Sequence, residues 1–262
     1  MRTALTIAGS DSGAGAGIQA DLKTFAAHGV YGTSVITAVT AQNTVGVTMF
    51  EALSPALVRA QLDAVMSDIG SHAAKTGMLA TAAIVETVAA AVADLRIARL
   101  VVDPVMVAKS GDRLLDDAAM RAMKSALLPR AAVVTPNIPE AEALTGLRIT
   151  TDQDRREAAR RLLGLGPAAV VIKGGHFGTP DIVDLLAFGG EFAEFRHERV
   201  PGRHTHGTGC TFAASIAASL ALGRTLAEAI PFAQRYIAGA IRNGPELGKG
   251  HGPMNHFWET SG

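Results

Sequence analysis

A single cysteine, Cys210, stands in a chain of 262 residues. That excludes an intramolecular disulfide and leaves almost no room for a cysteine-based metal site, so any part for Cys210 must come from its own reactivity. Charge of one sign is also lacking: 24 Lys and Arg balance 24 Asp and Glu, with no run of either. The electrostatic footprint of a nucleic-acid-binding or anionic-membrane-binding surface is therefore absent. A small-molecule partner is expected, with no nucleic acid and no membrane. No stretch approaches the roughly 18 consecutive apolar residues that span a bilayer, and the apolar run after Met1 stops at Gly9, too short for a secretion signal. These shortages lead to the expectation of a soluble, cytoplasmic protein.

Two familiar nucleotide-binding loops are missing as well. The segment Gly9-Ser10-Asp11-Ser12-Gly13-Ala14-Gly15-Ala16-Gly17 follows an apolar strand, but Ile18 stands where a dinucleotide fingerprint needs its third glycine, and no acidic residue ends the second strand. Gly248-Lys249 is followed by Gly250 rather than Ser or Thr, so it is not a phosphate loop of the Walker type. Any phosphate must be held another way.

What is present begins with a hydrophobic content of 48%, enough for one large core, and we read residues 1–262 as a single domain. Short Val- and Ile-rich runs alternate with Ala-rich segments of helical period, the signature of βα units around a parallel sheet. Strands are predicted at Ala4–Ala8, Ser34–Thr40, Arg99–Asp103, Ala132–Thr135 and Ala168–Lys173. Helices are predicted at Gly17–His28, Pro55–Ile69, Ala80–Asp94, Asp117–Leu127, Pro139–Thr145, Asp152–Leu163, Thr208–Leu222 and Leu226–Asn243. Ile182–Phe188 and Glu191–Phe195 flank Gly189-Gly190 and read as a hairpin at a sheet edge. Right-handed crossovers then give an α/β fold, a three-layer α/β/α sandwich with a mostly parallel central sheet.

Glycines follow the strands at Gly9, Gly77, Gly111 and Gly174-Gly175, on the sheet edge where open α/β folds bind ligands. Asp11 reads either as a functional carboxylate or as a turn cap, and Asp21 either as functional or as part of a solvated helix face. The run His204-Thr205-His206-Gly207-Thr208-Gly209-Cys210 enters a helix, so inward backbone N–H groups and the helix dipole make an anion hole. At that position Cys210 is expected to have a lowered thiol pKa; a packed helix-start cysteine, or a Cys–His nucleophilic pair with His204 or His206, are the other readings. In Thr135-Pro136-Asn137-Ile138-Pro139-Glu140 an amide and a carboxylate three apart suit a hydrated Mg²⁺ on ATP phosphates, or else simply cap a helix. Asp103, in Val-Val-Asp103-Pro104, and Lys173, in Val-Ile-Lys173-Gly174-Gly175-His176, close apolar strands where a charge can reach a ligand.

Taken together, "AGSDSGAGAGIQADLKTF", "SVITAVTAQNT", "KTGM", "DPVMVAKSG", "TPNIPEAEALTG", "VIKGGH", "HGTGC" and "GKGHGPMNHF" resemble the hydroxymethylpyrimidine kinases of the ribokinase-like superfamily, across nearly the whole chain. The resemblance implies transfer of the ATP γ-phosphate to 4-amino-5-hydroxymethyl-2-methylpyrimidine and then to its monophosphate, in thiamine biosynthesis. It places the pyrimidine against Gly9, Gln42 and Met78, with Asp21 also counted as substrate-binding. It sets Asp103, Asn137, Lys173 and Thr208 at ATP, and Glu140 with Asp103 at Mg²⁺. Gly207, Thr208, Gly209, Cys210 and Lys173 become the catalytic set, with Cys210 as candidate base. Sugar kinases of the superfamily carry Asp where Cys210 stands, which counts against a sugar; Ala14 departs from the Gly common in relatives. The resemblance also implies a homodimer. The alternatives are a pyridoxal or pyridoxine kinase of the same superfamily, and a catalytically silent nucleotide-binding regulator.

Overall fold

The computed structural model describes residues 1–106, 115–175 and 181–259. Gly111 and His176 lie outside the described residues.

The predicted runs become a nine-stranded sheet. In chain order the strands are β1 (Thr3–Asp11), β2 (Tyr31–Gln42), β3 (Val47–Ala52), β4 (Ala73–Thr76), β5 (Leu100–Val102), β6 (Val133–Val134), β7 (Ala169–Ile172), β8 (Asp181–Phe188) and β9 (Glu191–Glu198). Their spatial order is β3-β2-β1-β4-β5-β6-β7-β8-β9. The six from β2 to β7 run parallel, while β3 at one edge and the β8–β9 hairpin at the other are antiparallel. The hairpin forms as predicted, and its two-residue turn needs positive φ at both centres, which Gly189 (61°) and Gly190 (85°) supply.

Helices cover both faces, and strand alternation decides which residue meets which. Leu5, Ile7, Leu100, Val102, Val134, Val170 and Ile172 pack under α2 (Pro55–Asp68), α3 (Ala82–Asp94), α4 (Asp117–Ala122), α5 (Ile138–Thr145) and α6 (Asp152–Leu163). Their neighbours Ala4, Val101, Val133, Ala169 and Val171 face α1 (Gly17–Ala27), α7 (Thr208–Ala221) and α8 (Leu226–Arg242). Burial on both faces is why these strands read as continuous apolar runs rather than alternating ones. Each such Val, Leu or Ile contributes about 1.5–3 kcal/mol by leaving water.

Helix starts follow their caps. Ser54 accepts the N–H of Leu57 ahead of Pro55, Thr81 that of Ile84, and Thr151 with Asp154 closes a reciprocal box on α6. The prediction for α3 begins two residues early, because Ala80 is left-handed at φ 64° and Thr81 is the cap. The segment predicted as one helix from Asp117 changes to a π-turn at Met123–Leu127. Two strands, β3 and β4, were not predicted.

Candidate active site

The carboxyl ends of the parallel strands open into a cavity of about 680 Å³ lined by Gly9, Gln42, Met78, Asp103, Asn137, Glu140, Lys173 and Gly207–Cys210. Strand order sorts these residues along the edge. Gln42 ends β2, Gly9 lies near the carboxyl end of β1 and Met78 follows β4; Asp103, Asn137 and Lys173 follow β5, β6 and β7. The expected pyrimidine residues thus fall on one side and the expected phosphate residues on the other.

The start of α7 bridges the two sides. Gly207 caps the helix in a left-handed conformation (φ 81°), with no side chain closing the terminus. A β-carbon there would collide with the Gly15 carbonyl oxygen, so only glycine lets α7 press against the β1–α1 loop. Two residues on, a β-carbon at Gly209 would stand 3.6 Å from the Lys173 ammonium and 3.8 Å from Asp103. The open helix start therefore faces Lys173 and Asp103 across the cavity, and its own N–H groups are suited to phosphoryl oxygens. The Thr208 hydroxyl is already committed, donating to the Thr205 carbonyl at 2.6 Å.

On the phosphate side, the Lys173 ammonium donates to Asp103 at 2.9 Å and lies 3.8 Å from Glu140. Burial works against its charge, but Asp103 and Glu140 outweigh it and raise the lysine pKa. Asn137 and Glu140 do form the reciprocal cap on α5: the Asn137 side chain accepts the Glu140 N–H at 2.8 Å, and Glu140 accepts the Asn137 N–H at 2.7 Å. The same carboxylate still lines the cavity, and burial, with Asp103 adding to it, pushes its pKa up to about 7 against the pull of Lys173.

On the opposite side, a β-carbon at Gly9 would press on the Met78 sulfur at 3.3 Å, so this glycine keeps the floor open. The Gln42 amide accepts from the Thr40 hydroxyl at 3.0 Å. Asp11 proves to be a turn cap that also crosses the site. Its carboxylate accepts the N–H groups of Gly13, Gly15 and Ala16, at 2.8, 3.1 and 2.8 Å, and pairs with His206 Nε2 at 2.8 Å. Burial opposes the charge on Asp11, but the His206 bond and the backbone donors hold its carboxyl below the usual range.

Three expectations need correction. Asp21 neither lines the cavity nor sits on a solvated face: it is fully buried, with Lys75 at 2.9 Å and the Thr6 hydroxyl at 2.6 Å filling its carboxylate. The Cys210 thiol is raised, not lowered. Burial pushes it up to about 11 with help from Asp21 and Asp103, which together outweigh Lys75 and the Gly17 N–H. No Cys–His pair appears among the described residues, since His206 bonds Asp11 and His204 bonds Glu246 at 3.1 Å.

Sequence reasoning also missed parts of the cavity. Ile182 on β8, Val200 just after β9, and Ile237, Ala238 and Ile241 on α8 form an apolar wall beyond Lys173, suited to a flat base. Asp184 and Gln234 brace that wall: Asp184 accepts the Gly174 N–H at 2.7 Å and the Gln234 amide at 2.8 Å. Nothing local marks these residues, because their partners come from distant elements.

A family model described as phosphomethylpyrimidine kinase matches residues 11–255. The chain belongs to this family. It is therefore a phosphotransferase, and its fold is the ribokinase-like sandwich that the motifs implied. The hydroxymethylpyrimidine/phosphomethylpyrimidine kinase of Bacillus subtilis is 48% identical over 97% of this chain and 94% of that protein. The thiamine biosynthesis bifunctional protein ThiED of Geobacter sulfurreducens is 54% identical over 97% of this chain but 52% of its own length, so the chain spans about half of that relative. Among solved structures, an ADP complex of Bacillus subtilis pyridoxal kinase matches with a TM-score of 0.92 at 38% identity, covering 100% of both chains. In a phosphomethylpyrimidine kinase the phosphoryl donor is ATP.

Proposed function

We propose that this chain transfers the γ-phosphate of ATP to 4-amino-5-hydroxymethyl-2-methylpyrimidine, and then to the resulting monophosphate, supplying the pyrimidine diphosphate of thiamine biosynthesis. The observation that carries the reading is the sorting of one cavity. An amide able to pair with an aminopyrimidine edge, Gln42, lies with Gly9 and Met78 at the β2-β1-β4 end. The charged set Asp103, Glu140 and Lys173 lies at the β5-β6-β7 end, and the open start of α7 joins them. Names of relatives at about 48–54% identity support the same substrate.

Gly207, Thr208 and Gly209 then cradle the transferring phosphoryl group through backbone N–H groups, and Lys173 offsets its charge. Asp103 and Asn137 lie within the same stretch of the cavity, where the ATP phosphates would be held. Mg²⁺ fits the residues present. Glu140 and Asp103 face one lysine, and a carboxyl raised to about 7 by burial is one that a nearby dication would ionise. Among the described residues no cluster of three metal-ligating side chains could hold an ion alone. Mg²⁺ takes one or two carboxylates and fills the rest of its shell with phosphate oxygens and water. Cys210, at the junction, is placed to take the proton of the acceptor hydroxyl.

A homodimer accompanies this reading, supported by the exposed apolar Val39 and Met49 along the β2–β3 edge. No helix among the described residues is long and apolar enough to cross a membrane; a cytoplasmic setting is part of the same proposal.

ATP consumption measured side by side with hydroxymethylpyrimidine, its phosphate, pyridoxal and ribose tests the reading. The two pyrimidines should dominate. Preference for pyridoxal would move the chain to the pyridoxal kinases, and no turnover with any acceptor would leave a silent nucleotide-binding protein.

A further inference from the structure

The Gly-rich tail after α8, residues 244–253, has no task in the site as described, yet it touches both loops that lead into it. On one side it seats on the β2–β3 loop, two residues beyond Gln42. There the Gly250 N–H donates to the Thr44 hydroxyl at 3.3 Å, and a β-carbon at Gly250 would overlap the Thr44 carbonyl. On the other side it meets residues 203–206, which enter α7. The Gly252 N–H donates to the Arg203 carbonyl at 3.0 Å, and the Gly252 carbonyl accepts the His206 N–H at 3.2 Å. Beyond Pro253 the tail is fastened to the helices. His256 Nε2 pairs with the Thr211 hydroxyl of α7 at 3.0 Å, and its carbonyl accepts the Tyr236 hydroxyl of α8 at 2.7 Å.

His204 is the side chain that the tail grips. Its ring is buried, 8% exposed, in a slot between Gly244 and Gly252. A β-carbon at Gly244 would overlap the ring, and one at Gly252 would stand 2.6 Å from Nδ1, where ordinary contact begins near 3.4 Å. At the other end of the ring Nε2 meets Glu246 at 3.1 Å, and Arg203 Nε donates to the same carboxylate at 3.1 Å. Nδ1 is buried with no partner among the described residues. An apolar side chain would pack there without that cost, so packing alone does not account for the histidine. Two residues on, the His206 ring is tied across to Asp11 at 2.8 Å. Residues 204–206 are thus clamped between the tail and the β1–α1 loop, immediately before the open start of α7.

We propose that the tail is a positioning element of the anion hole: Gly252 and His204 together set where the backbone enters α7, and so where its free N–H groups stand relative to Lys173. This rests on the reading that the start of α7 holds the transferring phosphoryl group. Donors of that kind must meet the developing charge at hydrogen-bond distance, and a displacement of about 1 Å can cost about 100-fold in rate. The hole serves both transfers, so the tail should matter equally to both. ATP affinity should be little affected, because among the described residues no hydrogen bond joins the tail to Asp103, Asn137 or Lys173.

Gly252→Ala tests this, because the three atoms nearest its new β-carbon all belong to the His204 ring. Ring and tail must then part by most of an ångström. Gly252→Ala, His204→Ala and the double variant would be assayed with hydroxymethylpyrimidine and with its monophosphate, while ATP calorimetry gives affinity and binding stoichiometry. Gly252→Ala should lower kcat about 10–100-fold with both acceptors, with ATP bound at full stoichiometry and near wild-type affinity. The double variant should be no slower than His204→Ala, because the methyl then meets no ring. Unchanged kcat in Gly252→Ala, additive losses in the double variant, loss confined to one acceptor, or an ATP-binding defect that matches the loss of kcat would each overturn the proposal. If the wild-type protein phosphorylates no pyrimidine, the functional reading falls, and amide hydrogen exchange still decides the clamp. Exchange over residues 205–210 should be faster in Gly252→Ala than in wild type; equal exchange would overturn it.

Discussion

Replacing Cys210 by alanine separates the two transfers. With the thiol pushed up to about 11, the thiolate is a minor form at neutral pH, roughly one molecule in 10⁴ at pH 7. If that thiolate takes the proton of the hydroxymethyl group, the first transfer should accelerate nearly tenfold per pH unit from pH 7 to about 10. The second transfer has an acceptor whose own second pKa is about 6, so it needs no base and should be flat over that range. Loss of a general base costs about 10²–10⁴-fold. Scarcity of the thiolate puts Cys210→Ala near the lower end of that range at pH 7 and nearer the upper end at pH 10, for the first transfer only. The backbone N–H groups at the start of α7, the proposed anion hole, do not depend on the Cys210 side chain, so on this proposal they should continue to serve both steps in the variant. Steady-state rates with each acceptor, for wild type and variant at several pH values, provide the test. Equal loss in both transfers would assign Cys210 to the phosphoryl group or to pocket shape. A first transfer with no pH slope in the wild type would refute the base.

Glu140→Gln should depress turnover most at limiting Mg²⁺, and unchanged Mg²⁺ dependence would remove the carboxylate from the metal. The same variant has a stability signature. A folded-state pKa raised to about 7 contributes stability below the unfolded value near 4.5 and loses it as pH rises through 7, by at most about 3 kcal/mol. The melting temperature of ligand-free wild type should therefore fall between pH 5 and 8, and less so in Glu140→Gln; parallel curves would contradict the burial argument. Gln42→Leu should weaken pyrimidine binding by roughly 1–3 kcal/mol, the cost of leaving a buried polar group unsatisfied, with ATP binding nearly intact. Calorimetry showing equal loss for both ligands would point to a folding defect. If the proposed homodimer forms through the β2–β3 edge, Met49→Glu should convert it to monomer by light scattering; a dimer that persists would place the interface elsewhere.

Most of the fold was legible because its strands are buried on both faces and its helices carry explicit caps. β1, β2 and β5–β7 announced themselves as Val- and Ile-rich runs, and Ser54, Thr151 and Thr225 marked helix starts. β4 did not, because Ala-Ala-Lys-Thr has no intrinsic strand preference and is strand only by lying between β1 and β5. β3 is an exposed edge strand, without the burial pattern that identifies the others.

The site was legible in its residue types and illegible in its electrostatics. Gln42, Met78, Asp103, Asn137, Glu140, Lys173 and the Gly207–Cys210 run do share one cavity. The thiol direction was wrong because helix-dipole reasoning is local, whereas the burial that dominates Cys210 is set by the whole chain. Asp21 failed for a similar reason. Its partner Lys75 is 54 residues away, and no spacing rule connects α1 to β4. The Asp11–His206 pair spans 195 positions.

The central claim is that two successive phosphoryl transfers reach one pyrimidine in this one cavity. A ³¹P NMR time course with hydroxymethylpyrimidine and excess ATP tests it most directly. The account predicts a phosphomonoester signal that rises first and then gives way to the paired signals of a diphosphate, with two ADP formed per pyrimidine. A reaction that stops at the monoester after one ADP, or that yields no pyrimidine phosphate at all, would contradict it.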